Sequence, residues 1–124
     1  VLRRILAVQT AEAPTVSTQN LLQGRSDLAH SLRIQNKVHE AEVNFRLVYE
    51  SLSLREGASS PNALAAASNL ASVLHEAGRH QEATELFELA TDGLERTLGA
   101  DHPNYKAARQ NYEDLKRSAG FAVP

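Results

Sequence analysis

The chain has 124 residues, enough for one domain and too few for two ordinary ones. Apolar residues make up 42% and charged residues 23%, the balance of a folded protein, and 13 basic against 15 acidic side chains give no electrostatic case for nucleic acid. The longest wholly apolar run, Ala63 to Ala67, falls far short of the roughly 18 residues a membrane span needs, and with no cysteine there is neither a disulfide nor a thiolate metal site.

Residues 1–10 read as the second helix of a preceding unit, closed by Ala13-Pro14. The sequence starts at Val1 and contains no methionine, which fits either a processed chain whose leader was cleaved or a piece of something longer. The compartment therefore stays open between cytoplasm and organelle, the latter including a place peripheral to a membrane complex. Arg3-Arg4, Arg25 and Arg33 make this part mildly basic, which ordinary helix surface explains; docking to an acidic partner or to lipid headgroups is the functional alternative.

A helix is expected from near Thr15. Pro14 to Asp27 is 13 residues where Pro61 to Asn69 is 8, so either this helix is about one turn longer than its later counterpart or a loop intervenes. Asn36 stands where a turn glycine is expected, a tolerable exchange because asparagine enters the left-handed region. Pro61 follows Ser59-Ser60, a serine cap ahead of a proline in the first helical turn. Leu64, Ala67, Leu70, Ala71 and Leu74 then recur at helical steps until Gly78. The next helix carries Ala83, Leu86, Phe87, Ala90 and Leu94 on one face and ends at Gly99; Asp101 is placed to cap a last helix ahead of Pro103. Small residues at Ala71 and Ala83 allow close approach of antiparallel helices, with Leu74 and Phe87 filling the space around them.

These elements repeat. Pro61-Asn62 recurs as Pro103-Asn104, Asn69 as Asn111 and Ala77-Gly78 as Ala119-Gly120, each 42 residues on. In all, 13 of the 42 positions in 19–60 match 61–102, where composition alone would give roughly three. The division is the end of a preceding unit (1–18), repeat 1 (19–60), repeat 2 (61–102), a capping helix (103–120) and a tail (121–124). Tyr112, Glu113 and Lys116 give the last helix the polar outer face a cap needs, and Phe121-Ala122-Val123-Pro124 reads as a frayed end in preference to an inserting tail. Core candidates are Leu28, Leu32, Phe45, Leu52, Leu70, Leu74, Phe87 and Leu94.

The stretch Asn69-Leu70-Ala71, Leu74, Gly78-Arg79-His80-Gln81-Glu82-Ala83, Phe87, Ala90, Leu94 and Leu98-Gly99-Ala100-Asp101-His102-Pro103 resembles the tetratricopeptide repeat of the kinesin light chain type, whose units are 42 residues long. The resemblance is specific in 61–103, weaker in 19–60 and partial at both ends. It implies an all-α, right-handed superhelix of about two and a half helical pairs with a C-terminal capping helix. The first helices of such pairs line a groove for extended peptides or partner helices. Carried over by position, the groove candidates are Ser26, His30 and Arg33 in the first unit. In the second they are Ala65, Ser68, Asn69, Ser72, His75 and Glu76, and in the last helix Gln110, Asn111 and Asp114. The family uses the asparagine at position 69 to hold a partner's backbone, and an amide offers both donor and acceptor for that task; steadying the neighbouring repeat is the equally weighted alternative. Asp27 stands at the matching place in the first unit, which leaves Asn69 and Asn111 as the asparagine pair. The basic cluster that reads acidic tails in some related repeats is missing.

Catalytic equipment is not found. His75-Glu76-Ala77-Gly78-Arg79-His80 has a superficial likeness to a zinc-protease motif, but its histidines are five apart rather than four and a turn glycine separates them. There is no phosphate loop, no serine elbow and no cysteine nucleophile, and Glu82, Glu85 and Glu88 form a solvated stripe. The expectation is a non-catalytic scaffold with no cofactor and no metal, binding a protein or peptide. The alternative is a structural or accessory subunit fixed in a large assembly, which the small number of units favours because roughly three are needed for a solenoid to stand alone.

Overall fold

The computed structural model describes residues 16–119, and among these every regular element is a helix. They are α1 (Val16–Ile34), α2 (Val38–Glu56), α3 (Pro61–Glu76), α4 (His80–Leu98) and α5 (Pro103–Ala119). The expectations for residues 1–10, the turn at Ala119-Gly120 and the tail 121–124 lie at least partly outside the described residues. No helix among them is long and apolar enough to cross a membrane.

The 42-residue period of the sequence is a period of the structure. Helices α2 and α4 start at 38 and 80 and end at 56 and 98, while α3 and α5 start at 61 and 103. Helix α1 ends at Ile34, 42 residues before the end of α3, but runs for 19 residues against 16. The helix is thus three residues longer than its counterpart, which takes up part of the extra spacing before Asp27, and the 18/19 boundary falls inside it.

Turn chemistry explains the joints. Asn36 adopts φ 64° and Gly78 φ 86°, so both units reverse through a left-handed residue at the same place. Ser60 caps α3, its Oγ accepting the Ala63 N–H at 3.0 Å. At α5 the expectation fails: His102, not Asp101, reaches the helix end, its Nδ1 accepting the Asn104 N–H at 3.1 Å. The imidazole is one residue nearer the first free N–H groups.

Helices adjacent in sequence pack as antiparallel neighbours, and α3 also touches α5. One apolar cluster joins Leu32 and Phe45 of the first unit to Leu70, Leu74 and Phe87 of the second and to Leu115 of α5. A smaller one gathers Leu64, Leu94, Tyr105 and Ala108 at the other end. Ala71 and Ala83 are fully buried, as close helix approach requires. Against Leu64 the backbone of α4 comes so near that a Cβ on Gly93 would lie 2.5 Å from Leu64 Cδ1.

Leu28 does not join the core. It is 50% exposed, whereas Leu70, its counterpart one repeat later, is 0% exposed. The difference is the neighbour: α3 has α2 packed on one side and α4 on the other, whereas among the described residues the main packing partner of α1 is α2. Leu21, 67% exposed on the same side of α1, shares that situation. Leu52 is only partly buried and lines a surface hollow instead.

Candidate partner-binding surface

The hollow lies where α1, α2 and α3 meet and measures about 280 Å³. Ser26 of α1 and Ala65 and Asn69 of α3 line it, so three expected groove residues converge there. Its floor is apolar, from Leu22, Val48, Leu52 and Ala66. Its polar rim is largely occupied: Gln23 donates to Asp27 at 3.0 Å, and Asn62 donates to Glu56 at 3.2 Å. Asn69 is half-buried and makes no side-chain hydrogen bond among the described residues. Its amide is left with both functions to offer. Arg55, near the C-terminus of α2, also lines the hollow and is not singled out by sequence, because second helices are not expected to contribute.

The other expected residues are placed elsewhere. Ser68 and Ser72 are buried, and Ser72 Oγ donates back to the Ser68 carbonyl at 3.2 Å. Arg33 and Glu76 close an ion pair at 2.6 Å that ties the C-terminal ends of α1 and α3 together. His30 is exposed and meets Phe45 edge-on at 4.9 Å. On α5, Gln110 donates to Asp114 at 3.0 Å and Arg117 pairs with the same carboxylate, while Asn111 is half-buried; none of these three expected residues lines the hollow.

His75 is engaged in a chain that spacing in the sequence hides. The reversal at Gly78 brings His75 Nδ1 and His80 Nδ1 to 2.8 Å, and His75 Nε2 lies 2.7 Å from Ser118 Oγ on α5. Ser118 Oγ also lies within hydrogen-bond reach of the Leu115 carbonyl, at 3.2 Å. Burial, and then the proximity of His80, hold the His75 imidazole below the usual histidine range, with the Glu76 carboxylate opposing them. A histidine whose folded pKa is depressed stays neutral when folded but takes up a proton when unfolded. Stability is therefore expected to fall as pH drops below about 6.5, the ordinary histidine value, towards the depressed folded pKa. Thermal melts of the wild type and of His75→Gln between pH 7.5 and 5.5 check this: the wild type should lose stability more steeply across that window. Equal slopes would remove His75 from the account.

A second polar cluster joins the units on the far side. Arg79 pairs with Glu42 and with Glu82, both at 2.6 Å, and Arg46 bridges the same two carboxylates at 3.1 Å. Partial burial would push the Glu82 carboxyl up, but the two guanidiniums outweigh it and hold it below the usual carboxylate range. Tyr112, stacked on Phe87 with ring centres 5.8 Å apart, donates to Glu88 at 2.9 Å. Burial and that carboxylate push its hydroxyl up to about 12, so it remains a donor at any physiological pH.

Paired antiparallel helices repeating every 42 residues, with a part-apolar hollow between successive first helices, define a helical-repeat architecture. The family model described as the tetratricopeptide repeat matches residues 63–104, which span α3, α4 and the start of α5. The matched stretch, about a third of the chain, has the pattern of a tetratricopeptide repeat, a class that generally mediates protein–protein interaction and is typically non-catalytic. No curated protein matches the chain at a significant level.

Proposed function

We propose that the chain is a non-catalytic scaffold of the kinesin light chain type that holds a peptide segment of a partner protein in the hollow between α1, α2 and α3. The observation carrying this reading is the half-buried, uncommitted amide of Asn69 above an apolar floor. An amide there can take one N–H and one C=O from a peptide backbone, while Leu22, Val48 and Leu52 cover an apolar side chain. Selection from a displayed random-peptide library, followed by affinity measurement on the selected peptides, tests it. Asn69→Ala should weaken binding about tenfold, the effect of one lost hydrogen bond of roughly 1–1.5 kcal/mol, while Gln110→Ala leaves it unchanged. Equal affinities for wild type and Asn69→Ala would sink the assignment.

The second reading is a subunit fixed in a larger assembly. It is favoured by the exposed leucines of α1, Leu21 and Leu28, whose counterparts Ala63 and Leu70 are buried. Thermal unfolding at several protein concentrations separates the two: a cooperative, concentration-independent transition supports a self-sufficient module, and weak helicity or aggregation supports the fixed subunit.

A further inference from the structure

Away from the hollow, three side chains meet in the order that activates a nucleophile. We propose that Ser118 is a covalent modification site that takes an acyl or phosphoryl group from an activated ester, with His75 as its general base and His80 orienting that base. Ser118 Oγ lies 2.7 Å from His75 Nε2, and His75 Nδ1 lies 2.8 Å from His80 Nδ1. Hydroxyl, base and orienting group, each within hydrogen-bond reach of the next, form the arrangement that makes a serine nucleophilic. The fold assembles it at one end of the helices: α3 ends just after His75, α4 begins at His80, and Ser118 stands in the last turn of α5. The Leu115 carbonyl is the hydroxyl's other neighbour, at 3.2 Å against 2.7 Å for the imidazole. Ser118 is exposed, so a reagent reaches it.

Protonation agrees with these roles. The depressed His75 pKa leaves an uncharged imidazole at neutral pH. When His75 Nδ1 donates to His80 Nδ1, its Nε2 holds the lone pair that takes the serine proton. Charged neighbours are committed elsewhere: Glu76 to Arg33, Arg79 to Glu42 and Glu82, Asp114 to Arg117, and Lys116 to the Tyr112 ring. In the reaction the serine oxygen bonds to the carbonyl carbon or phosphorus of the ester. Its proton passes to His75 and then to the departing phenolate or alkoxide as the old ester bond breaks. A general base contributes about 10²–10⁴ in rate. A last helical turn presents carbonyls rather than the free N–H groups that stabilise an oxyanion, each of which is worth roughly 10²–10³. Uptake from a good leaving group is therefore favoured, whereas release would need the serine alkoxide to leave without that help. The group stays on, a mark on the scaffold and not a turnover.

Incubating the whole chain with a fluorophosphonate, and separately with p-nitrophenyl acetate, tests this, the labelled residue being located by peptide mass spectrometry. Ser118 should be labelled at least about tenfold faster than Ser59, an exposed serine with no imidazole bonded to it, and the rate should fall as pH drops below about 6.5. His75→Gln, shown to be folded by circular dichroism, should slow Ser118 labelling about tenfold or more. His80→Ala should move the pH profile upward, because the charge of His80 no longer depresses His75. Labelling of Ser118 no faster than Ser59 in the wild type would overturn the proposal whatever the variants do. A rate unchanged in folded His75→Gln, or a label carried by another residue in place of Ser118, would overturn it equally.

Discussion

Replacing Phe87 by alanine should lower the unfolding free energy by about 3–5 kcal/mol, the range for emptying an aromatic site in a packed core. The ring is 1% exposed, belongs to the cluster that joins both units, and stacks on Tyr112 of α5. Its removal opens a void between α4 and α5 and costs Tyr112 its stacking partner. Set against the roughly 5–15 kcal/mol available to a small domain, the loss is large enough to leave the variant partly unfolded at about 37 °C. Urea unfolding followed by circular dichroism gives the number, and Phe87→Leu provides the scale, because it keeps most of the volume. A loss below about 1 kcal/mol for the alanine variant would contradict the packing described.

Gly93→Ala should destabilise the chain by about 1–2 kcal/mol, against the rule that alanine improves a helix interior by about 1 kcal/mol over glycine. The added methyl would meet Leu64 Cδ1 at 2.5 Å. Leu64 is 1% exposed and clustered with Leu94, Tyr105 and Ala108, so any shift of its side chain disturbs that packing, and overpacking of this kind costs about 1–3 kcal/mol. Gly24→Ala on α1 is the matched control. Nothing lies within 4 Å of the added methyl there, so the propensity gain stands unopposed and stability should rise by about 0.5–1 kcal/mol. Opposite signs for two glycine-to-alanine changes in helices would locate the α3–α4 contact; equal signs would refute it.

What a short window of sequence controls is legible in the sequence. Asn36 as a turn residue, Ser60 as a cap and the 42-residue period depend on neighbours within a few positions or on self-comparison, and each has its place in the structure. Leu28 is misread by its periodicity because burial of a repeat position depends on the helix before it, and identical residues at 28 and 70 have different neighbours. The His75–His80 contact is hidden because spacing along one helix says nothing once the chain reverses between the two residues. Among the groove candidates, Ser26, Ala65 and Asn69 meet, but Ser68 and Ser72 face inward, because a small side chain marks close helix packing as readily as an open wall. Arg55 carries no signal at all: an arginine in a last helical turn is ordinary, and only the packing of the three helices places it at the hollow.

Helix α3 is flanked by α2, α4 and α5, and ten of its 16 residues are buried, serines included. A repeat boundary drawn at residue 60 or 61 thus cuts through the best-covered part of the molecule. Exchanging or deleting the first unit would strip one side of α3 and expose Ala63, Leu70 and Val73 to water. The sequence period marks the repeating unit, but the helix that follows the boundary is held by α2 before it as well as by α4 beyond it, so a chimaera joined there needs matching faces on both sides of α3.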